Sequence, residues 1–465
     1  MVCIGPALAT LAVVLTGIGH AQPWRDELAT WSAASRSPGE LFRLAGTIDA
    51  ATSPYYLFMH AWVAVLGDSA TALRLPAALA MAGTAGLTAL LGRRLLGARA
   101  GLLAGLLLAV LPGTSRYGQE ARPYALAAFL AVLATLLLVE ATARPGWARW
   151  AGYAAAVAAL GLTHLVALTL LAAHAVAVLA DRRAGASGRT VRWMLALLPT
   201  GLLLAPLALL ARGQRARQLG WVQVARPDDL AALAGGVAQS GVVGGVLVGL
   251  AALGAARLGR RALLPGLAVL LPVLLVFAVA LVVPLWVPRY LVFVVPFGCL
   301  LAGAALAMVP LPPALAVVAL AGLLGLPDQA ALRRTHEWPR SATVDYRGVA
   351  RIVADGRRPG DAVVYSPRES WLFLDLGLAY HLGDRRPRDV LVTEDQARRG
   401  DLWAAECARP AECLAGADRV WLVVAGRRDD PLAAVAGAKG DALRAGYTVE
   451  RVWPRPGLTV ALLTR

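Results

Sequence analysis

Asp26 and Glu27 stand side by side in the stretch Gln22-Pro23-Trp24-Arg25-Asp26-Glu27-Leu28. They follow an apolar run over residues 2–19, so they sit at the mouth of a membrane crossing. Taken alone, such an acidic pair reads as a solvated loop. Three other segments give it company: Arg116-Tyr117-Gly118-Gln119-Glu120-Ala121-Arg122-Pro123-Tyr124, Pro288-Arg289-Tyr290 and Arg74-Leu75-Pro76, each at the outer edge of an apolar run. Carboxylates and arginines at one membrane depth, beside aromatic rings, suit an anionic lipid headgroup, because a guanidinium fork binds phosphate at two points. Each arginine can equally be a headgroup anchor or a helix-end side chain reaching for water.

The elements that must position these residues are membrane spans. The chain has 465 residues, 58% hydrophobic and only 16% charged, with a mean hydropathy of +0.62. Soluble domains carry about 25% charged residues. Apolar runs fill residues 1–327 and then stop. Spans are expected near 2–19, 70–91, 100–112, 123–140, 150–162, 164–180, 193–211, 240–256, 263–283, 290–308 and 313–327, about eleven in all, several of them shorter than the ~20 residues of a straight crossing. The stretch 150–180 reads either as two short helices bent at Gly161–Thr163 or as one tilted helix. The first span lacks a basic leader and a good cleavage site at His20-Ala21-Gln22, so an anchor is expected there. The expected fold is a polytopic α-helical membrane protein over residues 1–327, with an outer loop at 20–69, and an α/β domain outside the membrane over residues 328–465.

Charge supports this orientation. The net charge is +16, of which residues 328–465 supply only +3. Much of the rest lies in alternate short loops: Arg93, Arg94 and Arg99; Arg144 and Arg149; Arg182, Arg183, Arg189 and Arg192; Arg257, Arg260 and Arg261. That alternation puts these loops and the N-terminus in the cytoplasm and the C-terminus outside, and it argues against a nucleic-acid partner. Lys439 is the sole lysine, which makes arginine by itself a weak signal.

The outer loop has more to offer. Ser37-Pro38-Gly39-Glu40 starts a helix with a capping box and proline in the first turn, and its apolar face should lie in the membrane interface. Asp49 follows, then Ser53-Pro54-Tyr55-Tyr56-Leu57-Phe58-Met59-His60-Ala61-Trp62, whose aromatics belong at headgroup level. His164, beside Thr163 in an apolar stretch, reads as a packing residue or as an intramembrane functional group.

Asp26-Glu27, Tyr55-Tyr56 with His60-Ala61-Trp62, Arg74-Leu75-Pro76, Gln119 to Tyr124, Thr163-His164 and Pro288-Arg289-Tyr290 occur in an order that resembles the GT-C superfamily of membrane glycosyltransferases. They look close to the family-39 group, with its protein O-mannosyltransferases and lipid A aminoarabinose transferases. Where many relatives carry a His-Pro-Pro run before the tyrosine pair, this chain has Ala51-Thr52-Ser53-Pro54. The resemblance implies transfer of a sugar, mannose first and arabinose as competitor, from a polyprenyl-phosphate donor to an outer acceptor hydroxyl with inversion. It assigns Asp26, with Glu27, to the catalytic position, where a carboxylate can take the acceptor proton. Arg122 and Arg289, backed by Arg74, would hold the leaving phosphate. Asp49, Tyr55, Tyr56, Gln119, Tyr124, His164 and Tyr290 would line the substrate site; Glu120 would orient neighbours or simply be exposed. The resemblance implies no required cofactor and leaves a divalent metal open without indicating one. Its partners would be the bilayer, the lipid-linked donor and a glycan, glycolipid or protein acceptor, at the inner membrane of a bacterium. The rival class, a transporter or flippase of lipid-linked sugars, would want polar groups at mid-membrane and repeated halves, and no repeat is seen.

In residues 328–465, a helix is expected at 345–354, strands at 362–365 and 420–424, a helix at 431–445 and closing strands at 449–452 and 458–463. Asp361, Asp429 and Asp430 read as turn residues. Cys407 and Cys413 can form a disulfide in an oxidising compartment; Cys3 and Cys299 should stay free. Metal-ligand spacing is absent.

Overall fold

The structure, a computed structural model, describes residues 2–180, 186–337 and 341–465; Arg182 and Arg183 lie outside the described residues. The chain forms two compact units: residues 1–18, 49–55 and 71–334, and residues 19–48, 56–70 and 335–465.

The first unit is helical. Among the described residues, six helical stretches are long and apolar enough to cross a membrane: Ala70–Leu95, Tyr124–Ala143, Gly188–Gln218, Gly241–Ala280, Pro288–Leu306 and Leu311–Arg334. Ala98–Val110 with Pro112–Gly118, bent by 68°, makes a seventh. Gly241–Ala280 holds the two spans expected there, as helices Gly241–Leu258 and Leu263–Ala280. Ile4–Leu15 and Leu165–Leu179 are apolar but short, so length and composition alone do not reach the eleven expected. The last helix does not end at residue 327: it runs through Pro327 to Arg334.

The stretch 150–180 follows the broken alternative. Helix Trp147–Thr163 ends at His164, whose backbone is extended (φ −159°, ψ 98°), and Leu170–Leu179 resumes beyond a short 3₁₀ turn. Close helix packing depends on small residues, as is usual where no water drives association. A Cβ at Gly254 would run into the Leu301 carbonyl of the neighbouring helix. Deep in this unit, His174 is bonded through both ring nitrogens, to Thr135 and to the Tyr153 hydroxyl, each at 3.0 Å.

The second unit is α/β. Its five-stranded sheet has the order β2-β1-β5-β7-β6, with β1 Ala362–Ser366, β2 Arg388–Asp389, β5 Arg419–Ala425, β6 Thr448–Arg455 and β7 Leu458–Thr464; β3 Val392–Glu394 and β4 Ala405–Glu406 pair separately. β1 runs parallel to β2 and β5, while β7 is antiparallel to both β5 and β6. β1 is buried throughout, and β5 and β7 are buried over all but their ends. Continuous Val/Leu runs are what a sheet covered on both faces requires. The helix expected at 431–445 forms only as Gly437–Gly446, because Asp430 and Pro431 open a turn first. Helix Leu374–Leu382, which the sequence reading missed, packs in the same unit. Asp361 is a turn residue: its Oδ2 accepts from the Arg358 backbone N–H at 2.9 Å and from the Trp421 indole at 2.8 Å. Cys407 and Cys413 are joined, with Cα atoms 6.7 Å apart, while Cys3 and Cys299 are free.

Candidate functional site

In the first unit, the turn around 119–124 and the segment Pro288–Val294 bring several of the expected residues together. Arg289 Nε donates to the Tyr124 hydroxyl at 3.1 Å. The rings of Tyr124, His164 and Tyr290 meet in a triangle with centroid separations of 5.8, 6.2 and 5.5 Å. The Arg289 guanidinium lies 5.3 Å from the Trp221 ring and 6.0 Å from the Tyr290 ring. Arg122 lies within electrostatic reach of His164. Arg289 is thus a cation set against aromatic faces, a setting that holds its guanidinium in place. The break at His164 is what lets its ring turn toward Tyr124 and Tyr290.

Other expected residues of this unit also bond within it. Gln119 Nε2 donates to the carbonyls of Val14 and Thr16, at 2.6 and 2.8 Å, and Arg74 Nη1 donates to Ile18 at 2.7 Å. These bonds satisfy carbonyls at the end of the first apolar helix. Glu120 is not exposed: it is fully buried, and Arg116 Nη2 lies 3.4 Å from its Oε1. Asp49 adopts a left-handed backbone (φ 62°). Its Oδ1 accepts from Thr52 at 2.8 Å and from the Gln218 amide. Tyr55 and Tyr56 are both buried, 3% and 0% exposed.

Asp26 and Glu27 belong to the second unit. They occupy the first turn of helix Arg25–Ala34, where the helix dipole favours negative charge. Their roles diverge. Glu27 is 1% exposed. Its Oε2 accepts from the Trp24 backbone N–H at 3.3 Å and lies 3.6 Å from His336 Nδ1. Asp26 is only half-buried and lies within electrostatic reach of the buried Tyr346. Arg25 Nε stands 4.0 Å from Glu337 Oε2. Thus Glu27 is tied into the fold, and Asp26 is the carboxylate better placed to meet something outside it. Sequence reasoning missed His336, Glu337 and Trp221. The signal for the first two was a His-Glu pair directly after the final apolar helix; Trp221 gave only a tryptophan beyond a long one.

The helix expected at Ser37 forms as Pro38–Thr47, and its capping box is made: the Ser37 N–H donates to Glu40 Oε2 at 2.9 Å, and the Glu40 N–H to Ser37 Oγ at 3.4 Å. Leu41 and Leu44 are buried inside the protein, and Phe42 is exposed.

Residues 52–209 match the profile of the dolichyl-phosphate-mannose-protein mannosyltransferase family. No curated protein sequence matches the chain. Its structure is similar to crystal structures of ArnT from Cupriavidus metallidurans. Against the apo form the TM-score is 0.65 at 16% identity, with 98% of each chain covered. Against the form bound to undecaprenyl phosphate it is 0.67 at 15% identity, covering 99% of this chain and 97% of that one. The archaeal oligosaccharyltransferase AglB from Archaeoglobus fulgidus, in complex with an inhibitory peptide and a dolichol-phosphate, gives 0.56 at 12% identity, over 99% of this chain and 73% of that one. With its membrane helices, its sheet-containing C-terminal unit and this likeness over nearly its whole length, the chain has the GT-C fold of membrane glycosyltransferases.

Proposed function

We propose that the protein is a glycosyltransferase that moves a sugar from a polyprenyl-phosphate donor to an acceptor hydroxyl on the outer side of a bacterial inner membrane, with inversion at the anomeric carbon. The observation that carries this reading is the Arg289–Tyr124–His164–Tyr290 cluster in a fold whose solved relative binds undecaprenyl phosphate. When the glycosidic bond breaks, the leaving group is a phosphate monoester whose charge grows in the transition state; Arg289, with Arg122 and Arg74 behind it, supplies compensating charge. Asp26 takes the acceptor proton as the new bond forms. Glu27, locked by Trp24 and His336, positions that turn. Asp49, Tyr55, Gln119 and the ring triangle shape the donor side of the site. Mannose is the first candidate sugar, in line with the family matched at residues 52–209, and arabinose the second.

The test is transfer of radiolabelled sugar in vesicles from a synthetic polyprenyl-phosphate sugar. Wild-type protein should label an envelope acceptor, and Asp26→Asn should lower turnover by about a hundredfold or more while donor binding stays within about twofold. Asn keeps the shape and cannot accept a proton. Full turnover by Asp26→Asn would remove Asp26 from the role, and movement of intact donor lipid across the bilayer without transfer would favour the flippase.

A further inference from the structure

The second unit holds a cavity of about 650 Å³ that the mechanism above leaves unused. Helix Arg25–Ala34 and the turn after it form one wall, and residues 368–397 form the other. Its size falls in the ~300–1,000 Å³ range of small-molecule sites. Its chemistry is unusual for such a site, since four arginines and five carboxylates line it, with Trp31 and two serines. Many of these charges are committed. Arg368 is held by Asp375 and Asp389, at 3.4 and 2.8 Å. Asp395 caps the following helical turn, and Glu40 closes the capping box. Arg386, Arg388 and Asp384 stay exposed on the rim. Arg36 is the exception inside. It is 3% exposed and makes no ion pair among the described residues. It donates through Nη2 to the Asp401 carbonyl at 2.7 Å, and its Nε and Nη1 have no hydrogen-bond partner. A covered guanidinium with unused donors is costly unless something else completes it.

Near-balanced charge of both signs disfavours a strongly charged ligand, which would meet repulsion on every wall. The charged side chains along both walls disfavour a lipid tail. An uncharged molecule rich in hydroxyls satisfies donors and acceptors together, and the half-buried ring of Trp31, set edge-on to Tyr380 at 5.3 Å, offers an apolar face for a sugar ring. We propose that this cavity binds a neutral oligosaccharide, the glycan part of the acceptor, with Arg36 donating to ring or hydroxyl oxygens. The acceptor role rests on the transferase reading; the saccharide site itself does not.

Saturation-transfer NMR on the purified full chain in nanodiscs tests it. The probes are mannotetraose, an arabinofuranosyl tetrasaccharide, maltotetraose, tetragalacturonate and a Ser/Thr-rich peptide. At least one neutral saccharide should receive saturation, and Arg36→Gln and Trp31→Ala should each weaken that binding about tenfold. The double rim variant Asp384→Asn with Arg388→Ser, at exposed positions that do not threaten folding, should weaken it about threefold. The proposal falls if no probe binds, if only tetragalacturonate or the peptide binds, or if binding survives intact in the rim variant or in folded Arg36→Gln. Donor hydrolysis without acceptor, measured alongside, should be the same in Arg36→Gln as in wild type, and its loss would overturn the confinement of Arg36 to saccharide binding. Absence of hydrolysis in wild type would count against the transferase reading and leave the saccharide result to stand by itself.

Discussion

Arg289 shows how one side chain can be prepared for an anion. Its Nε donates to the Tyr124 hydroxyl and two rings flank it, so its orientation is set by the protein's own groups. Preorganisation of that kind is what makes a charge effective in catalysis. Arg289→Ala should raise the donor KM and lower kcat together, for a combined loss of about a hundredfold or more in kcat/KM, since a phosphate anchor acts in ground and transition states alike. Tyr124→Phe removes one hydrogen bond to a charged group, and kcat/KM should fall about tenfold, the size of such a bond. Steady-state kinetics on both variants decides the matter: equal losses for the two would show that Tyr124 does more than orient Arg289. At this scale much was legible. Pro288-Arg289-Tyr290 and Thr163-His164 announced themselves as polar pairs in apolar text. Only the resemblance singled out Asp26 from Glu27, because the residues alone show two neighbouring acids; the fold adds that Glu27 closes onto Trp24 and His336. For Glu120 the sequence left open an orienting role or simple exposure; the fold buries it, with Arg116 Nη2 3.4 Å from its Oε1.

At the scale of elements, the C-terminal sheet is held by charge as well as by its apolar strands. Arg368 is buried among Asp375, Asp389 and Glu406, and its guanidinium lies 5.0 Å from the Tyr365 ring of β1. Arg368→Ala would leave these acids without their common partner and should cost about 3–5 kcal/mol in unfolding of this unit; a urea titration that finds less than about 1 kcal/mol would contradict it. Helix Leu374–Leu382 carries a pH response. Burial first, and Arg347 second, hold the His381 imidazole down at about 4, against 6.5 when unfolded. The unfolded chain therefore binds more protons between those values, so stability is full above about pH 6.5 and falls as the pH drops toward about 4. His381→Gln should flatten the melting temperature across that window; an unchanged slope would place the response elsewhere. Strands β1, β5 and β7 were readable because a covered sheet needs unbroken apolar runs. Helix Leu374–Leu382 was not, since its short Leu-Asp-Leu-Gly-Leu text alternates as a strand would and only tertiary packing decides.

For the whole molecule, the arginine-rich loops predict an inside N-terminus and an outside C-terminus. A reporter that is active only outside the cytoplasm, fused after Arg465, should be active. The Cys407–Cys413 pair should resist thiol labelling in protein taken directly from cells, as an oxidising compartment requires. A silent reporter together with free thiols would invert the orientation and place Asp26 on the wrong side for an outer acceptor. The spread of membrane spans and the presence of a separate α/β part were visible in hydropathy. The 650 Å³ cavity was not, because its walls come from residues 31–40 and 368–397, and no local pattern links segments so far apart.

The second unit is also discontinuous in chain order, and that has a consequence for how the protein is made. Residues 19–48 and 56–70 are synthesised early, yet their partners begin at residue 335. At about 5–20 residues per second the ribosome needs on the order of tens of seconds to bridge that gap. During this delay the segment that carries Trp24, Leu28 and Leu44, all buried at the end, lacks the later part of its unit. The early segment must wait as a solvent-facing loop while the later helices insert. A nascent chain stopped before residue 335 should therefore be cut readily by protease between residues 19 and 70, and release of the full chain should close that window in a single step.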